Sequence, residues 1–192
     1  MTTRSIYLFV FYLFISIQSS GQSIEFPLIN KRITYTDTVF VNNTSKDTLY
    51  VRAKQWILKN FPTQNTPLNA SNKTDSLIHA KGTLDFNMMD LNNLNRIVYD
   101  YNIYVKIYDN AYIYKIEDFK GKLYEKSQYT SNSAAKVSID EDYAAYLKNK
   151  RNTEFTRRVK YFYKIISKQL NSFNTSMSLE NAGEYPRGPH LE

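Results

Sequence analysis

"RIVYDYNIYVKIYDNAYIYKIEDF", residues 96–119, decides the fold because it predicts two strands joined by a tight turn. From Ile97 to Ile107 every second residue is apolar or aromatic, and most residues between them are polar, which is the pattern of a half-buried strand. Asp109 and Asn110 then supply two residues that tolerate the positive φ of a hairpin turn. The segment is therefore predicted to be an antiparallel hairpin with one apolar face.

The register of this hairpin follows from its turn and from the burial of one face. The apolar pairs predicted across the strands are Ile103 with Ile116, Val105 with Tyr114, and Ile107 with Tyr112. On the opposite face the same register sets Tyr104 beside Lys115. A slip by one residue would bury Lys106 and Asp100, so one register is strongly favoured.

A second segment, "TSKDTLYVRAKQWILKNF" at residues 44–61, predicts an amphipathic helix. Its apolar stripe consists of Leu49, Ala53, Trp56, Ile57 and Phe61. Thr44 and Asp47 have the spacing of a capping box, Pro62 ends the helix, and Arg52 is expected to face water. Trp56, the only tryptophan, lies in the middle of the stripe, so it is predicted to be core rather than part of a site.

The segments around these two elements predict the rest of the sheet. Ile33–Val41 and Ser76–Met88 alternate between apolar and polar residues and predict strands, the second with a bulge at Gly82. The polar stretch at residues 62–75 contains two prolines and predicts an exposed loop. Residues 121–137 are compatible with either a short strand or an irregular loop.

The C-terminal part of the chain predicts helix. Ser138 and Glu141 have capping-box spacing, and an apolar stripe runs at helical period from about Thr153 to Phe173. Asp140–Lys150 is either the first part of that helix or a separate short one. The consecutive acids at residues 140–142 suit the positive end of a helix dipole better than a pair of catalytic carboxylates.

These elements predict an α+β fold with one antiparallel curved sheet and two helices packed on one face, in the order β-α-β-β-β-α. The predicted domain spans residues 32–174, after an N-terminal segment at 22–31 and before a disordered tail at 175–192. Residues 1–21 predict a signal peptide, because Arg4 precedes the apolar run Ile6–Ile17. That run is short for a membrane anchor, so we expect cleavage near Gly21 and a periplasmic or secreted protein, with a retained anchor as the alternative.

Several classes of chemistry find no support in the sequence. The chain has no cysteine, which excludes thiolate metal sites and cysteine nucleophiles, and its two histidines show no metal-ligand spacing. There is no nucleophile elbow and no glycine-rich phosphate loop. We therefore expect no metal, no cofactor and no catalytic activity. The net charge of +7 suits solubility or an anionic partner, and nucleic acid is the least available such partner for an exported protein.

The predicted helix resembles that of an exported bacterial domain of unknown function, numbered 4468, with a TATA-binding-protein-like (TBP-like) fold. The matching residues are Lys46, Asp47, Leu49, Tyr50, Ala53 and Trp56. The strand "LIHAKGT", Leu77–Thr83, is similar to an Ile-x-Gly-x-Gly-like strand of that family, with Ala80 in place of the first glycine. The resemblance implies a single TBP-like unit, export, and relatives largely from Bacteroidota. It implies no activity, and the name of the fold does not imply DNA binding.

Two surfaces are candidate binding sites. Tyr104 and Tyr108, with Lys115 beside them, lie on the sheet face away from the predicted helices and could stack on a sugar ring or a partner; strand propensity alone also explains these tyrosines. Arg157, Arg158 and Lys160 on the last helix could meet an anionic surface, or simply form its solvated side. For both surfaces, the sequence is compatible with the binding interpretation and with the purely structural one.

The function favoured by the sequence is a non-catalytic domain of the cell envelope that binds a macromolecular partner, an envelope protein or a glycan, through its open sheet face. It is expected to be a monomer or a weak oligomer. The alternative is a hydrolase or lyase of cell-envelope glycan that uses sheet-face carboxylates such as Asp100 and Glu117. A third possibility is attachment of the protein to the envelope through its basic helix.

Overall fold

The computed structural model describes residues 24–61, 68–72, 76–90, 93–124, 134–151 and 153–178. The predicted signal peptide and residues 179–192 of the predicted tail lie outside the described residues. The strands are β1 (Leu28–Ile29), β2 (Arg32–Ile33), β3 (Tyr35–Phe40), β4 (Leu68–Asn72), β5 (Leu77–Asp90), β6 (Asn93–Tyr108), β7 (Ala111–Tyr124) and β8 (Ala135–Val137). The helices are α1 (Lys46–Asn60), α2 (Ile139–Lys148) and α3 (Thr153–Ser178).

The main sheet is antiparallel, with the strand order β3-β7-β6-β5-β4, and β8 pairs with β7 beyond the end of β3. The predicted α+β class and the curved antiparallel sheet are confirmed. So is the predicted hairpin register, since Ile103 pairs with Ile116 and Tyr104 pairs with Lys115. At the turn Asn110 adopts a φ of 61°, the left-handed conformation for which Asn is suited.

The bulge in the sheet is not at Gly82, where we expected it. β5 and β6 pair without interruption through Gly82, and a Cβ at that position would lie 2.3 Å from Cζ of Tyr101. Glycine is therefore needed to make room for this aromatic ring. The register instead shifts between Asp100 and Asn102 of β6, where β7 has an extra residue and Asp118 has a φ of 62°.

Helix α1 has the predicted apolar stripe, with two corrections. Its N-cap is Ser45 rather than Thr44, because the Ser45 hydroxyl accepts a hydrogen bond from the backbone N–H of Thr48. Arg52 does not face water: its side chain is buried, and Nη1 donates to the carbonyl of Met177 over 2.8 Å. Arg52 thus satisfies a carbonyl group at the end of α3, which a sequence pattern local to α1 does not reveal.

The structure also sets several boundaries that were predicted differently or left open. The predicted loop at 62–75 contains β4, which pairs with β5; the rest of that stretch lies outside the described residues. The open choice for residues 121–137 is resolved by β7 continuing to Tyr124 and by the addition of β8. There are three helices in the described part of the chain, since the α-helical run stops at Lys148 and α3 starts at Thr153. Residues 175–178 belong to α3 rather than to a tail.

The three helices and the N-terminal segment cover one face of the sheet. Phe162 of α3 packs edge-on against Tyr99, with ring centroids 5.2 Å apart, and Phe173 packs against Tyr112 at 5.6 Å. Trp56 is 4% exposed and packs between α1 and α3, which confirms its assignment to the core. No helix in the described part of the chain packs on the opposite sheet face, which we call the open face. Within the same part, no helix is long and apolar enough to cross a membrane.

Candidate binding face

The open face displays one side chain in two from each long strand, as the pleat of the sheet requires. The end near the Asp109–Asn110 turn carries exposed apolar side chains, including one on each of the adjacent strands β3, β7 and β6. Phe40 of β3 is 77% exposed, Tyr108 of β6 is 43% exposed and Ile113 of β7 is 36% exposed. A phenylalanine as exposed as Phe40 is uncommon in a sheet, so this group of residues is the most distinctive apolar feature of the open face.

Phe40, Tyr108 and Ile113 surround Ala111, whose side chain is a single methyl group. Ala111 pairs with Phe40 on one side and with Tyr108 on the other. Neighbouring strands lie about 4.8 Å apart, so the two aromatic side chains stand about 10 Å apart with the alanine methyl between them. We call Phe40, Tyr108, Ile113 and Ala111 the aromatic notch. Its width is that of one aliphatic side chain inserted between two rings.

The other predicted residues of this face adjoin the notch. Tyr104 is half-buried and stacks on His79, with centroids 4.4 Å apart and planes at 9°. Lys115 lies next to Tyr104 and forms an ion pair with Glu117 over 2.8 Å. The structure therefore brings Tyr104, Tyr108 and Lys115 together on one face, as predicted from the register. The role of these residues in binding stays a prediction.

Sequence analysis missed Phe40 and Ile113. Alternation in Ile33–Val41 already set Val39 and Val41 on the inner face, so Phe40 had to point outward with the threonines. The signal was present, but an outward phenylalanine is not distinguished from a core phenylalanine by composition. Only the register of β3 against β7 shows that Phe40 lies across Ala111 from Tyr108.

Farther along the open face is a polar hollow of about 470 Å³. It is lined by Lys81, Thr83, Asp100, Tyr101, Asn102, Asp118 and Lys120. Asp100 accepts a hydrogen bond from the Thr83 hydroxyl at 3.1 Å and has Lys122 at 3.6 Å. Asp118 has Lys120 at 2.9 Å. The hollow thus combines Asp100 with Asp118 rather than with the predicted Glu117, and each carboxylate has a lysine beside it.

The three predicted cations of the last helix do not form one surface. Arg158 is only 6% exposed, and its Nε and Nη2 groups each donate a hydrogen bond of 2.7 Å to the carboxylate of Asp142 on α2. Arg157 donates to the carbonyl of Met89 over 2.7 Å, and Lys160 is exposed. The expectation that Arg158 contributes to an exposed cationic surface is therefore corrected: it is a buried link between α2 and α3.

The environment of Arg158 explains how a buried guanidinium is tolerated. Burial by itself lowers the pKa of Arg158, but hydrogen bonds and charge from Asp142, and then from Glu154, outweigh it and raise the pKa above its ordinary value. The acid at residue 142, predicted to serve the helix dipole, is buried as the partner of this arginine. In the described part of the chain, no cluster of three histidine or carboxylate side chains has the arrangement of a metal site.

The central part of the chain is similar to a known family. Residues 35–122 match the model of DUF4468, a domain of unknown function with a TBP-like fold. The resemblance predicted from α1 and its neighbouring strands is confirmed. The matched segment of this chain runs from the start of β3 to Lys122 in β7, and it includes every residue of the aromatic notch.

Two solved structures share the fold. One is a TBP-like protein from Parabacteroides distasonis, with a TM-score of 0.59 and 17% identity over 79% of this chain and 96% of that one. The other is a DUF4468 family protein from Bacteroides ovatus, with a TM-score of 0.56 and 13% identity over 83% of this chain and 94% of that one. At these identities the likeness establishes the fold alone. No curated protein shows significant similarity to the chain.

Proposed function

We propose that this protein is a non-catalytic domain of the bacterial cell envelope that binds a protein partner through the aromatic notch. The observation that carries the proposal is the exposure of Phe40 beside Tyr108 on the sheet face that the helices leave open. Rigid aromatic side chains around a recess are typical of the residues that dominate binding energy at interfaces. An apolar side chain of the partner would lose its hydration by insertion between the rings, above Ala111.

The charges around the notch support a partner segment that also carries acidic groups. Lys106 lies on the same face, with Nζ 6.0 Å from the ring centroid of Tyr108. Lys115 is one row farther along β7 and is partly neutralised by Glu117. A carboxylate flanking the inserted side chain would meet Lys106 at the rim of the notch, where charge mainly affects specificity and the rate of association.

The face of the sheet is a better docking surface than its edge. β3 is an edge strand, and the unpaired backbone groups of an edge strand can pair with another chain. However, Oδ1 of Asp37 accepts the backbone N–H of Thr38 over 2.8 Å. A charged side chain that occupies an edge N–H is a common protection against strand addition. This supports side-chain docking on the open face over extension of the sheet.

The proposal is tested by identifying the partner through crosslinking and then measuring its affinity for variants of the notch. A photo-crosslinking amino acid at Thr38, next to the notch, should capture one partner in the producing cells, whereas the same group at Leu147, on α2, should not. With the purified partner, Phe40→Ala should raise Kd at least tenfold, since a residue in the centre of an interface contributes about 2 kcal/mol or more. The double variant Tyr104→Ala with Tyr108→Ala should also weaken binding.

Leu147→Ala is the matched control, because Leu147 is 51% exposed but belongs to the helix layer. It should leave Kd unchanged. A partner captured from Thr38 whose affinity is the same for wild type, Phe40→Ala and the tyrosine double variant would show that the notch is not the binding site.

A second function is favoured by the polar hollow, which holds Asp100 and Asp118 in a space large enough for part of a sugar. A glycan hydrolase or lyase would use such a pair of carboxylates. Against it, both acids already form ion pairs on this face, Asp100 with Lys122 and Asp118 with Lys120. Turnover of peptidoglycan fragments that is lost in both Asp100→Asn and Asp118→Asn would support the enzyme and displace our proposal.

A further inference from the structure

The outer side of α3 carries a straight row of lysines. Lys160, Lys164 and Lys168 are spaced four residues apart, so they form one line about 12 Å long on the helix surface. All three are exposed, and none has an ion-pair partner among the described residues. From residue 155 to its end at Ser178 the helix contains no acidic residue, and Glu154 at its start binds Arg158.

Half-exposed tyrosines flank this row. Tyr161 is 39% exposed and stacks on Phe86 at 6.1 Å, while Tyr163 is 42% exposed and contacts Phe26 at 5.9 Å. Each ring is therefore anchored on one side by the core and open on the other. Tyrosine in this setting presents an apolar body and a polar tip, the combination that suits the boundary between lipid headgroups and acyl chains.

The neighbouring helix adds exposed aliphatic side chains to the same layer. Val51 and Leu58 lie two turns apart on α1, 48% and 44% exposed, and Lys54 and Lys59 are exposed close to them in sequence. Both helices pack on the same sheet face, so their outer sides point away from the sheet in the same general direction. The helix layer thus combines unpaired positive charge with scattered apolar groups.

We infer that the outer side of the helix layer, led by Lys160, Lys164 and Lys168, docks on a membrane surface that carries anionic lipid headgroups. A lipid surface uses both features of the layer, since headgroups attract the lysine row while the tyrosines and aliphatic side chains enter the interface. A soluble polyanion would use only the charge. This site is separate from the aromatic notch and lies on the other side of the sheet, so docking would leave the open face directed away from the lipid.

The test is flotation of the full chain with vesicles of phosphatidylcholine alone or with phosphatidylglycerol added. We expect binding to the anionic vesicles that weakens as salt rises from 50 to 500 mM. Replacement of the three lysines by glutamine (Lys160→Gln, Lys164→Gln, Lys168→Gln) should reduce the partition coefficient at low salt on the order of a hundredfold. Any affinity of the apolar run Ile6–Ile17 for lipid is common to every variant and cancels in the comparison.

The matched control removes the same charge from the other side of the molecule, with Lys81→Gln, Lys120→Gln and Lys122→Gln on the open face. It should bind anionic vesicles nearly as well as wild type. Equal loss in both triple variants would show that only net charge matters, and would overturn the inference. Tyr161→Ser with Tyr163→Ser should weaken vesicle binding but not retention on immobilised polyphosphate; retention on polyphosphate without vesicle binding would also overturn it.

Discussion

Tyr101 illustrates how much the burial of one polar atom matters at the scale of a residue. Its ring is 2% exposed and lies over Gly82, and its hydroxyl has no hydrogen-bond partner among the described residues. A buried hydroxyl without a partner loses its hydration without compensation, at a cost of about 1–3 kcal/mol. Burial also raises the pKa of Tyr101 above its ordinary value, because the tyrosinate is even harder to desolvate.

We therefore expect Tyr101→Phe to increase the free energy of unfolding at pH 7 by about 1 kcal/mol. The gain should grow at high pH. The raised pKa means that the folded state of the wild-type protein retains the phenol proton. Titration of Tyr101 therefore leaves its free energy of unfolding unchanged below about pH 10 and lowers it as pH rises from there through the folded pKa. Each such tyrosine contributes a fall of about 1.4 kcal/mol per pH unit in that window, and the variant removes one of them.

Urea unfolding at pH 7, 10 and 11 measures both effects. Tyr112→Phe is the contrasting variant, since the Tyr112 hydroxyl donates to Oδ1 of Asn174 over 2.9 Å. Loss of this hydrogen bond in Tyr112→Phe should lower the free energy of unfolding at pH 7 by about 1 kcal/mol. Equal destabilisation by the two variants would mean that the Tyr101 hydroxyl has a partner after all.

At the scale of the element, two helices are joined by one buried ion pair. Asp142 of α2 and Arg158 of α3 have side chains only 6% and 7% exposed, and Glu154 adds a second carboxylate. Removal of Asp142 leaves a buried guanidinium with one partner, so Asp142→Ala should cost about 3–5 kcal/mol of unfolding free energy. Replacement of both charges, in Asp142→Leu with Arg158→Met, should cost much less, because it removes the desolvation penalty of both.

The two variants are compared with wild type by chemical denaturation, with the exposed pair Asp85 and Arg96 as the control. Those side chains are 44% and 49% exposed, so Asp85→Ala should change stability by less than about 1 kcal/mol. A double variant as unstable as Asp142→Ala alone would contradict this account of the pair.

The sequence predicted elements well where the pattern was local and long. The β6–β7 register followed from alternation plus a two-residue turn, and the α1 stripe followed from helical period, because each depends on neighbours in the chain. β4 was missed since a short edge strand needs only a backbone partner, which β5 supplies. Arg52 and Arg158 were expected at the surface because their partners, Met177 and Asp142, are distant in sequence or lie on another helix.

At the scale of the whole molecule, the sequence predicted the fold class and the sheet face that the helices leave open, and it proposed residues 32–174 as the limits of the folding unit. Those limits depend on contacts between the ends and the middle of the chain. Phe26 packs edge-on against Tyr143 at 4.7 Å, and its N–H donates to the Tyr143 hydroxyl at 3.2 Å. At the other end Met177 is fully buried and its carbonyl binds Arg52. Neither contact is visible as a periodic pattern.

The cooperative unit should therefore span at least residues 24–178 rather than the predicted 32–174. In the full chain, Phe26→Ala should lower the free energy of unfolding by about 3 kcal/mol, because it leaves a cavity beside Tyr143 and Phe162. Phe40→Ala, at 77% exposure, should change it by less than about 0.5 kcal/mol. A fragment of residues 32–174 loses both Phe26 and Met177, so its urea midpoint should fall well below that of fragment 24–178. Equal midpoints for the two fragments would show that residues 24–31 and 175–178 do not stabilise the domain, and would contradict this prediction.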